Sequence, residues 1–223
     1  MKRALLTAAL AALLGCSSSD RGLDQGGGQP APPVDHPLGN GLSANPRRLS
    51  ADQWRASMGV IFGTGVDGKP IAWKAGTRPA LDQATIAQSF GEPDYITTTE
   101  EDLSPSVLYA KYTDDAARDL CGQAQAADAV RTDAKTRVLT RFVAPTDTVA
   151  TNQGAIDHNL RYLKLRFHGV KIEPTDTASL DGLRKLFTTA ATASTAPDLA
   201  KKNDEAWLAV CVALVTAPEF HIY

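Results

Sequence analysis

The chain has 223 residues, with 23 basic and 25 acidic side chains and a formal net charge of −2. That near-balance leaves no basic footprint for nucleic acid, and 43% hydrophobic with 22% charged residues are the proportions of an ordinary globular chain. The three cysteines and four histidines form no CxxC, CxxCH or HExxH, and no GxSxG occurs. Zinc sites of the usual spacing, covalent haem and an α/β-hydrolase nucleophile therefore lack support, and neither a cofactor nor a metal is expected.

The N-terminus reads first, because targeting segments must be set aside before fold reasoning. Lys2 and Arg3 precede a run from Ala4 to Leu14 that is apolar apart from Thr7. The run has signal-peptide length and falls short of the roughly 20 residues that span a bilayer. It ends in Leu13-Leu14-Gly15-Cys16, followed by Ser17-Ser18-Ser19. Here the chain resembles bacterial lipoprotein precursors. The resemblance implies cleavage before Cys16, a diacylglycerol on its sulfur and a fatty acyl group such as palmitate on the new N-terminus. A thiolate is the nucleophile suited to that attachment, and several acyl chains together anchor stably where one is marginal. With residues 1–15 removed, the formal charge becomes −4, because Lys2 and Arg3 are lost. Ser17, in place of the Asp that retains such proteins at the inner membrane in enterobacteria, favours the outer membrane.

Residues 16–46 read as a tether. Asp24 to Pro33 is rich in Gly and Pro and has almost nothing large and apolar to bury, so it is expected to stay mobile. About 30 flexible residues reach on the order of 30 Å. The remaining residues, 47–223, suffice for one domain.

Periodicity in that domain is helical nearly throughout, so the expected class is mainly α, a single domain of five to seven helices. Ser50 and Gln53 form a capping box before Trp54, Met58, Ile61 and Phe62, which share one face. Gly63-Thr64-Gly65-Val66-Asp67-Gly68-Lys69 resembles two phosphate-binding patterns. Both need a strand before and a helix after; a helical run precedes this one and Pro70 follows, so a Gly-rich helix end is expected and no nucleotide. Residues 64–103 are irregular, with a short helix at Asp82–Phe90. Ser104-Pro105 opens a helix with Leu108, Tyr112 and Leu120 as its stripe, and Thr136–Phe142 is a shorter candidate. Ile156, Leu160, Leu163 and Phe167 mark a further helix, stopped by His168-Gly169. Leu180, Leu183, Leu186 and Phe187 mark the next, begun by Asp176 or Ser179. The last runs from about Asp198 to Thr216, with Trp207, Cys211, Leu214 and Val215 inward and Pro218 ending it.

Among the polar residues, His36 falls in the tether and His221 near the chain's end. His158 and His168 lie about 80° apart around one helix and about 15 Å along it, too far to share a metal. Asp157 and Arg161 are expected to form a surface i, i+4 pair. The carboxylates of Glu100-Glu101-Asp102 and Asp114-Asp115 are expected at helix starts, where the dipole favours them.

With Cys16 lipidated, Cys121 and Cys211 remain as an even pair in an oxidising compartment. A bridge is expected between them. Two unconnected buried thiols or a redox pair are the alternatives.

Arg47 to Gly63 (RRLSADQWRASMGVIFG), Ser179 to Ala191 (SLDGLRKLFTTAA) and Ala206 to Tyr223 (AWLAVCVALVTAPEFHIY) resemble helical segments of large cell-surface proteins of planctomycetes and myxobacteria. Those proteins are built from domains of unknown function and often carry c-type cytochrome modules. The resemblance implies a helical surface domain and an exported partner protein, and supplies no catalytic residues; the haem motif is absent here. The first functional expectation is thus a membrane-anchored interaction module in the cell envelope. The alternative is an envelope enzyme or small-ligand-binding domain with a pocket near His158 or His168.

Overall fold

The computed structural model describes residues 48–104 and 106–221. Ser50 opens helix α1 (Ala51–Phe62): its hydroxyl accepts the Gln53 N–H while the Gln53 side chain accepts the Ser50 N–H, closing the expected capping box. Gly63, at φ 72°, ends the helix. The Gly-rich stretch is a turn closed by Ile71 N–H to Gly63 O and Gly65 N–H to Lys69 O, as expected of a helix end. Two residues each of β1 (Lys74–Ala75) and β2 (Arg78–Pro79) form an antiparallel hairpin, and α2 (Ala84–Ser89) follows.

Helix α3 (Val107–Val130) is capped by Ser106, whose hydroxyl accepts the Tyr109 N–H. Pro105, expected at the helix start, lies outside the described residues. The inward stripe matches expectation only in part: Leu120 is buried and Tyr112 half-buried, but Leu108 is 56% exposed, and Tyr109, Thr113, Ala116, Ala117, Cys121 and Ala124 fill the rest of the buried face. Most of these are small, which lets a neighbouring helix approach closely and leaves little aliphatic signal to read. Asp114 and Asp115 fall beyond the first turn, where they pair with Arg118 and Lys111 at i, i+4 spacing, so the helix-start expectation fails for them.

Helix α4 (Val149–His168) is capped by Thr148, kinks at Asn152, buries Ile156, Leu160, Leu163 and Phe167, and stops at Gly169 in the left-handed region. A 3-10 turn over 178–180 leads into α5 (Asp181–Ala193); Asp176 accepts the Ser179 N–H just ahead of it. Asp198 caps α6 (Leu199–Thr216), and Pro218 both ends that helix and opens the short α7 (Pro218–His221). The described residues are mainly helical, with seven helices and one small hairpin. None of the helices is long and apolar enough to cross a membrane.

Helix α6 packs on α3 and α5, with Phe187 of α5 against Trp207 of α6 at 4.6 Å between ring centroids. Trp54 of α1, fully buried, meets Phe90, Phe220 and His221 at 5.3, 5.7 and 5.6 Å. Such aromatic clusters join large apolar area to preferred edge and stacked geometries. Phe62 and Phe167, 5.3 Å apart, join α1 to α4, and Arg166 donates from α4 to the Ile61 and Val60 carbonyls left open at the end of α1.

The shorter helix expected at Thr136–Phe142 is absent; only a 3-10 turn at Ala134–Thr136 forms. Buried side chains from three helices hold the strap at 137–147 instead. Asp128 of α3 accepts the N–H groups of Val138, Leu139 and Thr140 at 2.7, 2.6 and 3.1 Å. Asn159 of α4 donates to Leu139 O and accepts from Phe142 N. Asn203 of α6 donates to Pro145 O and Asp147 O. Backbone groups that a helix would pair internally must otherwise find side-chain partners once buried, and these supply them.

Candidate functional site

Cys121 and Cys211 are fully buried, and their sulfurs lie 1.99 Å apart across the α3–α6 contact, at the separation of a disulfide. Their Cα atoms are 5.9 Å apart, well inside the range such a bridge spans. Cys16 and His36 lie outside the described residues.

The two helical histidines are used for packing. His158 is exposed and stacks on Phe142, centroids 4.0 Å apart. His168 is half-buried; its Nε2 donates to Leu214 O at 2.8 Å, and its Nδ1 accepts from Lys164 Nζ at 2.9 Å. That pairing fixes a neutral ring, and burial, with the Lys164 charge, holds its pKa below the ordinary histidine value. Neither histidine lines either of the two cavities described next.

Asp157 is also placed differently from expectation. It is buried and pairs with Arg184 of α5 at 2.5 Å, not with Arg161, which donates to Pro174 O. The i, i+4 spacing was satisfied, but Asp157 turns toward the α4–α5 contact. Among the described residues no group of three His, Cys, Asp or Glu side chains converges as a metal site would require.

The smaller cavity, about 220 Å³, lies beside the strap between Asp128, Leu139, Asn203 and Trp207. The oxygens of Asp128 there are already taken up by strap N–H groups. The larger, about 440 Å³, opens where the start of α3 meets the end of α6 and α7, lined among others by Arg48, Tyr109, Thr113, Asp114 and His221. Its construction follows from local sequence. Pro218 turns the chain into α7, whose last residue brings its imidazole under Trp54 and its carbonyl to the Leu49 N–H at 2.8 Å. Tyr109, on the first turn of α3, shares a hydrogen bond between its hydroxyl and His221 Nδ1 at 3.0 Å. The other ring nitrogen, Nε2, is buried without a hydrogen-bond partner among the described residues.

Arg48 forms part of the cavity wall. Its guanidinium lies 4.2 Å over the Tyr109 ring, a cation–π contact, and Nη2 donates to Asp102 O at 2.5 Å. Gly91 makes that second contact possible. At φ 89° it packs so closely that a Cβ would stand 2.1 Å from Asp102 O, so any side chain there would push the carbonyl away from Arg48.

No protein-family model, curated protein or solved structure matches this chain. The reading of the site therefore rests on its own chemistry. Arg48 is 6% exposed and makes no ion pair among the described residues, and its Nε and Nη1 are buried without a hydrogen-bond partner. Trp54 Nε1, Thr113 Oγ1 and His221 Nε2 are likewise buried without a partner among the described residues. These side chains converge on one shared neutral acceptor, the Tyr109 hydroxyl oxygen, and no carboxylate pairs with the guanidinium among the described residues. Burial lowers the Arg48 pKa and raises that of Tyr109, as removal from water disfavours each charged form. The sequence singles out His158 and His168 because they lie on a helix of clear period. Arg48 and His221, from opposite ends of the fold, carry no such signal.

Burial also pushes the His221 imidazole down to about 4. The unfolded value is near 6.5, so between those pH values the unfolded chain binds more protons than the folded one. Stability present above about pH 6.5 is therefore lost as pH falls toward 4, by roughly 3 kcal/mol at about 1.4 kcal/mol per tenfold change in proton affinity. His168 acts in the same direction, so slopes are the useful comparison. The urea midpoint is expected to fall between pH 6.5 and 4.5, and to fall less steeply in His221→Gln, whose amide can still accept from Tyr109. Parallel slopes would assign the loss to other groups.

Proposed function

We propose that this chain is a lipid-anchored protein of the bacterial cell envelope, held at the outer membrane through Cys16. Its helical domain, on a tether of residues 16–46, serves as an accessory module for another exported protein. The observation that carries the anchor is the run of Lys2-Arg3, the apolar Ala4–Leu14 and Gly15-Cys16 followed by serines. The buried Cys121–Cys211 pair at disulfide distance supports an oxidising compartment. The intact mass of the protein extracted from membranes is expected to correspond to a chain starting at Cys16 with a diacylglycerol and an acyl group. The Cys16→Ser variant is expected to lack both additions. A mature N-terminus elsewhere, or an unmodified Cys16, would remove the anchor from the proposal. Cross-linking in intact cells is expected to recover one exported protein in stoichiometric amount, and recovery of none would remove the accessory role.

A second reading, a small-ligand-binding domain, is favoured by the Arg48 cavity. The volume of about 440 Å³ falls in the range of ligand pockets, and convergent polar groups in a mostly apolar wall are what such pockets present.

A further inference from the structure

We propose that the Arg48 cavity binds a small organic carboxylate, with the carboxylate at Arg48 and Thr113 and an apolar body along Ala110 and Pro218; this rests on the ligand-binding reading above. The charge argument comes first. A guanidinium taken out of water is costly unless an anion and hydrogen-bond acceptors replace the solvent. Arg48 has one acceptor, Asp102 O, and a ring face, which leaves Nε and Nη1 without partners. The carboxylates of Asp102 and Glu101 act on it only through space. Asp102 accepts from the Ser104 N–H instead, and Asp114, at the cavity's rim, takes two bonds from Arg118 at 2.9 and 3.1 Å.

The acceptors near the unpartnered donors are equally few. Tyr109 and His221 Nδ1 share one hydrogen bond, and the single phenolic oxygen, which carries no charge, is the acceptor that the Arg48, Trp54 and Thr113 side chains face together. An occupant that brings acceptors and one negative charge would complement Arg48 Nη1 and Nε and the Thr113 hydroxyl together. Charge-assisted bonds of that kind are the strong ones.

Size and wall then select among anions. The cavity is larger than a bare inorganic ion fills, and Ala110, Pro218 and the methyl groups of the two threonines, Thr113 and Thr216, offer it no further donors. The Thr216 hydroxyl is committed to Val212 O. A doubly charged phosphate would leave most of its oxygens facing apolar wall, whereas a monocarboxylate with a short hydrocarbon body matches both parts.

The test is calorimetric titration of the chain from residue 16 onward carrying Cys16→Ser, which contains the whole described fold. The probes are straight-chain monocarboxylates from acetate to octanoate, their primary amides and inorganic phosphate, at pH 7. A carboxylate of intermediate length is expected to bind saturably and at least tenfold tighter than its amide. Arg48→Met is expected to weaken that binding at least tenfold, Arg48→Lys less, and Asp114→Asn to strengthen it a few-fold by removing the rim charge. Thr113→Val, which strands no charge, gives an independent readout and is expected to cost several-fold. Amides that bind as well as the acids, or phosphate that displaces them with equal affinity, would overturn the carboxylate assignment and leave a ligand cavity. No saturable binding of any probe at millimolar concentration would overturn both readings.

Discussion

Replacement of Cys121 and Cys211 together by alanine is expected to remove about 4.5 kcal/mol from the stability of the oxidised domain. The pair closes a loop over a sequence separation of 90 residues, and in the chain-entropy model a loop of that length costs the unbridged unfolded chain about that much on folding. Typical domains have about 5–15 kcal/mol in total, so the loss is roughly three tenths or more of what holds the fold. Urea unfolding checks it twice. The midpoint is expected to fall, and the dependence on urea to steepen, because an uncrosslinked unfolded chain exposes more surface. Wild-type protein treated with a reductant is expected to approach the variant. A variant as stable as the oxidised wild type would mean that the two buried sulfurs act only as small hydrophobes.

Substitution of Asp128 by alanine is the other large effect expected, a loss of about 3–5 kcal/mol. The carboxylate is 4% exposed and accepts from three consecutive backbone N–H groups and from Arg131 Nη1 at 3.1 Å. Removing it strands buried donors, each costing about 1–3 kcal/mol, and leaves the half-buried Arg131 without its anion. Asp128→Asn is expected to fall between, because the amide oxygen keeps one acceptor while its NH2 faces a donor. Hydrogen exchange localises the damage: the amides of Val138, Leu139 and Thr140 are expected to lose protection while those of α6 keep theirs. A loss under 1 kcal/mol would mean that the strap finds other partners when the carboxylate is absent.

These two predictions differ in what made them readable. The cysteine pairing rested on an even count once Cys16 was assigned to the anchor, together with the inward place of Cys211 on a helix of clear period. Asp128 gave no warning. It stands near the end of a helix among alanines, and nothing local distinguishes it from a solvated carboxylate such as Asp115. Its role depends on a strap that arrives ten to twelve residues later and meets it in space. For the same reason Thr136–Phe142 looked helical: its local pattern is compatible with a helix, but Asp128, Asn159 and Asn203 offer the backbone better-placed partners than a short isolated turn could.

The amino-acid sequence by itself determined the helical class, the capping box at Ser50 and Gln53, the turn after Gly63 and the inward faces of α4 and α6. These are local properties, set by side-chain spacing and by the conformations that serine, glycine and proline permit. Tertiary structure alone decided where the polar groups went. Asp157 turned from Arg161 to Arg184, Asp128 became the anchor of a strap, and Arg48 and His221 met at one cavity. Their partners lie far off in sequence, and a buried charge or hydrogen-bond donor is matched by whatever the packed chain brings within reach, which spacing along the sequence does not encode.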